Sequence, residues 1–255
     1  MSSKLIPFLG VAFLLCLTAA CAQATPSPTF TPLPTSTPTT TPTVVWFPPT
    51  ETPTPHPTVE PSPTLDLLPG VEAVLLRDDF STGEGWSLAS SDQGSVAVRG
   101  NHLTLALAQP RGYLFTTRQE PLLSNFYAEI TASPSLCTGA DEYGLLVRVS
   151  SSLDYYRISL SCDGRARVDR LYQGVATTAV SWTTSGAIPS TVPNTSRLQV
   201  WALGSEIRFF IDDFLLFSLQ DTVLYTGTLG VFVRAAGDTG VTVSFSDLVI
   251  YTVEN

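Results

Sequence analysis

Residues 70–255 are predicted to form an all-β domain, a two-sheet antiparallel jelly-roll sandwich, preceded by a disordered stalk. Three observations predict it. Apolar residues alternate with polar ones at a period of two over many short runs, so each strand has one face to bury. Clusters of Gly, Asn, Asp and Ser separate the runs and read as turns. No window keeps a helical period long enough for a helix, so a dozen or so strands must cover one another as stacked sheets. A closed barrel is the alternative closure.

The chain begins differently. Residues 1–20 place Lys4 ahead of an apolar stretch, Leu5 to Leu17, and end in Ala19-Ala20, the order of an export signal. The apolar part is short for a permanent span. Leu17-Thr18-Ala19-Ala20-Cys21 resembles the lipobox of bacterial lipoproteins, with Thr18 where that family usually has Leu. The resemblance implies cleavage before Cys21 and lipidation of its thiol, and hence attachment to the extracellular face of a bacterial membrane. An ordinary secretory signal with an incidental cysteine is the other reading.

Residues 21–69 form the stalk. Between Thr25 and Thr64, 13 of 40 residues are Pro and 14 are Thr, with almost no charge and no apolar periodicity. Such a segment cannot bury a core. Thr-Pro repeats favour extended polyproline II, at about 3.1 Å per residue, a reach of roughly 120 Å. Val44-Val45-Trp46-Phe47-Pro48-Pro49 interrupts the pattern with an apolar patch, either a docking element or a solvated irregularity.

Within the domain, Val96 and Val98 alternate into Gly100-Asn101, and Leu103, Leu105 and Leu107 alternate out again, a hairpin signal. The period of two recurs in Tyr143-Leu145-Val147-Val149, Tyr156-Ile158-Leu160, Leu198-Val200, Ile207-Phe209-Ile211, Leu229-Val231-Val233 and Val241-Val243-Phe245.

Composition excludes one class of partner. The 255 residues carry 22 acidic side chains against 13 basic ones, a net charge of −9, and the single lysine, Lys4, leaves with the leader. Such a chain repels polyanions, so no nucleic-acid partner is expected. Of the four cysteines, Cys16 leaves with the leader and Cys21 takes lipid. A turn at Ser151–Asp154 sets Tyr143 opposite Cys162 and brings Cys162 beside the loop holding Cys137, which predicts a Cys137–Cys162 disulfide in an oxidising compartment. Two thiolates with no nearby histidine do not complete a zinc shell, and no metal site is assigned. A structural calcium shared by Asp78, Asp79 and Asp247 is an open option, because terminal strands of sandwiches often pair.

Asp78-Asp79-Phe80, Gly85-Trp86, Gly100-Asn101, Asp154-Tyr155-Tyr156-Arg157, Cys162-Asp163-Gly164, Asn194 to Val200, Gly204 to Asp212, Gly227 to Gly230 and Phe245-Ser246-Asp247 fall in one order along the domain. That order resembles the concanavalin A-like lectin/glucanase superfamily, in its laminin-G-like and keto-disaccharide-hydrolase-like branch. With the leader and stalk, the whole resembles a bacterial surface lipoprotein carrying such a domain. The resemblance rests on turn and core positions, so it speaks to fold. Where that branch often has Asn-Gly after the Phe209 strand, this chain has Asp212-Asp213.

Catalysis finds no support in the motifs. The retaining glucanases of this fold carry E-x-D-x-x-E on one strand, and no such string occurs; Glu129 is followed by Ile130-Thr131-Ala132. The pairs Asp78-Asp79, Asp141-Glu142 and Asp212-Asp213 are adjacent, and adjacent strand residues point to opposite faces. His102, the domain's one histidine, follows a turn and has no nucleophile elbow. No catalytic residue is assigned.

Pairing about the Ser151–Asp154 turn sets Arg148 opposite Arg157, away from the Leu145, Val147 and Ile158 core, where like charges oppose each other. A bulge near Asp163-Gly164 would add Arg167 and Asp169, with Tyr127 and Glu129 approaching from the strand before Cys137. The expected ligand site is therefore Tyr127, Arg148, Tyr155, Arg157 and Arg167. Planar guanidinium groups suit sugar hydroxyls or carboxylates, and aromatic rings suit pyranose faces. The expected function is non-catalytic binding of glycan or an envelope protein by a lipid-anchored module without a cofactor. Oligosaccharide hydrolysis and a structural or adhesive envelope role are the alternatives.

Overall fold

The computed structural model describes residues 66–254. Cys21, the leader and nearly all of the stalk lie outside the described residues. The strands are Val71–Asp78 (β1), Ala89–Ser91 (β2), Gly94–Arg99 (β3), His102–Leu107 (β4), Tyr113–Thr117 (β5), Phe126–Leu136 (β6), Glu142–Ser151 (β7) and Asp154–Ser161 (β8). They continue as Arg165–Tyr172 (β9), Val175–Thr184 (β10), Ser196–Leu203 (β11), Glu206–Ile211 (β12), Phe214–Gln220 (β13), Thr228–Arg234 (β14) and Val241–Val253 (β15).

They form two antiparallel sheets, as the alternation predicts. One has nine strands in the order β13-β12-β11-β6-β15-β4-β3-β2, with β1 also on β15; the other has six, β10-β9-β8-β7-β14-β5. The 13-residue β15 has room for partners in succession: β4 takes its first part, Val241 to Phe245, and β1 its last, Leu248 to Val253. Asp247, with φ 55°, makes the bulge between those parts and keeps both Phe245 and Leu248 facing inward.

The core between the sheets takes one set of alternating positions from each. Leu103, Leu105, Ile130, Val200, Phe209, Val243 and Phe245 from the larger sheet meet Tyr143, Leu145, Val147, Tyr156, Ile158, Val168, Val231 and Val233 from the smaller. All are buried, and each such side chain contributes roughly 1.5–3 kcal/mol relative to exposure. A Cβ on Gly144 would lie 2.1 Å from the Ile158 carbonyl oxygen, at φ 154°, so only glycine lets β7 approach β8 there.

Turn chemistry follows the sequence at two hairpins. Gly100 and Asn101 have φ 57° and 62° between the paired Arg99 and His102, a type I′ geometry. Asp212 and Asp213, at φ 48° and 68° between Ile211 and Phe214, adopt the same geometry without a glycine. Their side chains offset the cost: Asp212 Oδ1 accepts from the Arg197 amide at 2.8 Å and Asp213 Oδ1 from Gln199 Nε2 at 2.8 Å.

The chain enters across the outer face of the nine-stranded sheet. Leu67 and Leu68 pack on Tyr127, Trp201 and Phe210; Arg208 donates to the Leu67 carbonyl at 2.8 Å and Trp201 Nε1 to that of Pro69 at 3.0 Å.

Candidate functional site

The outer face of the six-stranded sheet gathers most of the arginines that the sequence singled out. A three-residue turn, Cys162-Asp163-Gly164 with Gly164 at φ 86°, returns β8 into β9 so that Ser161 faces Arg165 and Arg157 faces Asp169. Period two then sets Arg157, Arg165, Arg167 and Asp169 on one face, while Ile158, Leu160, Ala166 and Val168 fill the core.

Asp169 is the hinge of this face. Its side chain is 1% exposed and its two oxygens face two guanidinium groups, Oδ2 at 2.8 Å from Arg157 Nη2 and Oδ1 at 2.6 Å from Arg167 Nη2. Arg167 Nε adds a bond at 2.8 Å, and the Thr178 hydroxyl donates to Oδ1 at 3.0 Å. Burial alone would push the Asp169 carboxyl up, yet the two arginines hold it below the ordinary carboxylate range. Arg157 is raised for the converse reason, since burial disfavours its charge and Asp169 more than restores it.

Aromatic rings border the row on both sides. Arg157 lies over Tyr113 and Phe232, 5.9 and 6.0 Å from the ring centres. At the other side the half-buried Trp182 of β10 sits 5.0 Å from Arg165 and 5.8 Å from Arg167. Farther along, Arg234 pairs with Glu142, and Arg165 with Asp163 at 2.6 Å. Four arginines thus meet three carboxylates on a face of an otherwise acidic domain.

Two expectations about this face are corrected. Arg148 does not oppose Arg157, because β7 bulges between Val147 and Ser151 and sets Leu146 opposite Arg157. At the bulge Arg148 takes φ 52°, and its fully buried guanidinium donates to the carbonyls of Leu224 at 2.9 Å, Ser124 at 3.0 Å and Gly204 at 2.8 Å. The same bulge moves Val149 to the outer face beside Leu146 and sets Tyr143 opposite Leu160 instead of Cys162.

Tyr127 and Glu129 do not approach the arginines either. Strand β6 pairs with β11 and β15, so both residues lie on the outer face of the other sheet. There Tyr127 accepts from Gln199 at 2.7 Å and donates to Glu129 at 3.2 Å, and its hydroxyl is pushed up to about 12 by burial, with Glu129 adding to the rise. Tyr155 is on the expected face but 4% exposed, packed with Leu146, Val149, Phe232 and Leu171, so its ring offers no stacking surface.

The cysteine pairing is observed: Cys137 and Cys162 form a disulfide with Cα atoms 5.9 Å apart, and the Cys162 amide donates to the Asp141 carbonyl at 3.0 Å. The calcium option loses its first ligand. Asp78 accepts from the Phe80 amide, from Trp86 Nε1 at 2.9 Å and from Arg118, so its oxygens are committed to protein donors. Among the described residues no group of three or more metal-ligating side chains is assembled.

Sequence reasoning missed Trp182, Tyr113 and Phe232. Val180 faces the core, so a strict period of two would send Trp182 inward; a register shift in β10 between Val180 and Thr183 turns it outward instead.

No protein-family model matches the sequence, and no curated protein matches it. Solved structures do. The carbohydrate-binding module CBM66 from Bacillus subtilis has a TM-score of 0.50 at 16% identity, over 74% of this chain and 100% of that one. The β-glucanase of Bacillus licheniformis has a TM-score of 0.54 at 10% identity, over 70% and 98%. A Bacillus subtilis protein with a galectin-like fold has a TM-score of 0.52 at 11% identity, over 72% and 99%. At such identities the likeness is one of fold, and the domain is a two-sheet jelly-roll sandwich of the architecture shared by a carbohydrate-binding module and a β-glucanase.

Proposed function

We propose that the protein is a lipid-anchored extracellular module that binds glycan through the outer face of its six-stranded sheet without cleaving it. The observation that carries this reading is the row Trp182, Arg167, Asp169 and Arg157 across three neighbouring strands. Trp182 offers the accessible part of a half-buried ring to the apolar side of a sugar, while the guanidinium groups offer planar sets of donors already held in place by a buried carboxylate. The fold of the carbohydrate-binding module supports the class of ligand.

Non-catalytic binding is favoured by the electrostatics of the same face. Glycoside hydrolysis needs one carboxyl kept protonated as an acid. Asp169 is shifted the other way, and Glu142 is in an ion pair with Arg234.

The test uses the mature chain, solubilised with detergent, on an array of neutral and acidic polysaccharides, alongside Trp182→Ala and Arg167→Ala. At least tenfold weaker binding by either variant, with no reducing sugar released, is the expected result. Unchanged affinity in both variants would remove this face, and sugar release would replace the reading with that of a hydrolase.

A further inference from the structure

A cavity of about 410 Å³ opens at the end of the same outer face, where the β7–β8 turn meets the connections that follow β5 and precede β14. Its volume falls within the range of small-molecule sites. Phe115, Leu122 and Val149 supply apolar surface, and Thr117, Thr228 and Ser152 supply hydroxyls, with the Gln119 amide beside them. Arg118 is the one charged residue in the lining, and its charge is committed: it pairs with Asp78 and lies 6.0 Å over the Trp86 ring.

Apolar side chains together with hydroxyl and amide groups, with no uncommitted charge, suit one class of ligand. A pyranose or furanose ring presents a C–H face to the apolar side chains and exchanges hydroxyl hydrogen bonds with the polar groups. A carboxylate or phosphate would enter without a free cation to meet it, and its desolvation would go uncompensated.

The cavity is also braced from behind. The buried Arg148 guanidinium ties the Ser124 carbonyl, in the connection that carries Leu122, to the Leu224 carbonyl, in the loop that carries Thr226 and Gly227. The second loop is held again from the core: Tyr156 donates to Asp221 at 2.8 Å, and Arg170 reaches the same carboxylate at 2.6 Å. Fixed loops lower the ordering cost of binding.

We infer that this cavity is a subsite for one uncharged sugar residue, and that the glycan held by the Trp182–Arg157 row places a neutral unit in it. The inference rests on the carbohydrate reading and adds to it the charge class of the bound unit.

The test titrates the mature chain with neutral hexasaccharides of glucose, xylose, mannose and fructose and with a hexasaccharide of galacturonic acid. It compares wild type with Phe115→Ala and Thr228→Val, and maps amide shifts on the wild type. Expected are binding of at least one neutral oligosaccharide, tenfold or greater loss in Phe115→Ala, and shifts at Ser152, Gly227 and Thr228. The wild-type map stands even if Phe115→Ala fails to fold. Binding of a neutral oligosaccharide with no shift at those amides, or binding of the acidic one alone, overturns the subsite and leaves the carbohydrate reading in place. Binding of none of the five overturns both.

Discussion

Asp169 stands directly across from Arg157 on neighbouring strands, and its second oxygen is bound by Arg167 two residues away on its own strand. One buried carboxylate therefore orders two cations that would otherwise repel. Replacing it by Asn leaves both arginines without their counter-charge, and Asp169→Asn should lower stability by about 2 kcal/mol or more. Because folding lowers the Asp169 pKa, its contribution is full above the ordinary carboxylate value, about 3.9, and fades as pH falls through the folded value. Urea midpoints at pH 6 and pH 3 should therefore differ more for wild type than for Asp169→Asn; equal differences would contradict the assignment.

Arg148 should behave as a structural residue in stability measurements. Arg148→Ala removes three charge-assisted bonds to buried or half-buried carbonyls, and a loss on the order of 3 kcal/mol is expected by chemical denaturation. Arg148→Lys should recover only part of it, since a single ammonium cannot match the planar spread of three acceptors. A wild-type midpoint in Arg148→Ala would exclude the bracing role.

Gly144→Ala tests the close approach of β7 and β8. The added methyl would fall 2.1 Å from a backbone oxygen, which no side-chain rotation relieves. The variant should lose at least about 2 kcal/mol, or accumulate in an unfolded form. Its thermal midpoint, set beside that of Gly186→Ala, where a Cβ meets nothing within 4 Å, separates the clash from a general effect of alanine.

The disulfide closes a loop with a sequence separation of 25 residues. Restricting that loop in the unfolded chain corresponds to on the order of 3 kcal/mol. Reduction, or Cys137→Ser with Cys162→Ser, should shift the denaturation midpoint accordingly, and peptide mapping of the protein isolated without reductant should recover Cys137 and Cys162 linked. Two alkylatable thiols at Cys137 and Cys162 in that protein would contradict the bridge.

The proposed anchorage is tested at Cys21. Cys21→Ala should alter processing and release the protein from membranes, because one lost thiol removes the site for every acyl chain. A membrane-bound, acyl-labelled Cys21→Ala product would refute lipidation there.

The Cys137–Cys162 pair is present although the β7–β8 register from which it is expected is shifted by two residues, so the agreement does not rest on that register. The fold class, most strands, the Gly100-Asn101 turn and the company of Arg157, Arg167 and Asp169 are legible in the order of residues. Each depends on local information: a period of two, a turn residue with accessible positive φ, or a short hairpin whose loop length sets its register. The places of Arg148, Trp182 and Tyr127 are set by long-range pairing. Arg148 sits at a one-residue shift of β7 against β14 and Trp182 at a one-residue shift of β10 against β9, and one extra residue in a strand exchanges the faces of everything beyond it while leaving the composition of the strand unchanged. Tyr127 lies on a strand whose neighbours, β11 and β15, come from distant parts of the chain, and such a choice of partner is settled by burial of whole sheet faces rather than by any local pattern.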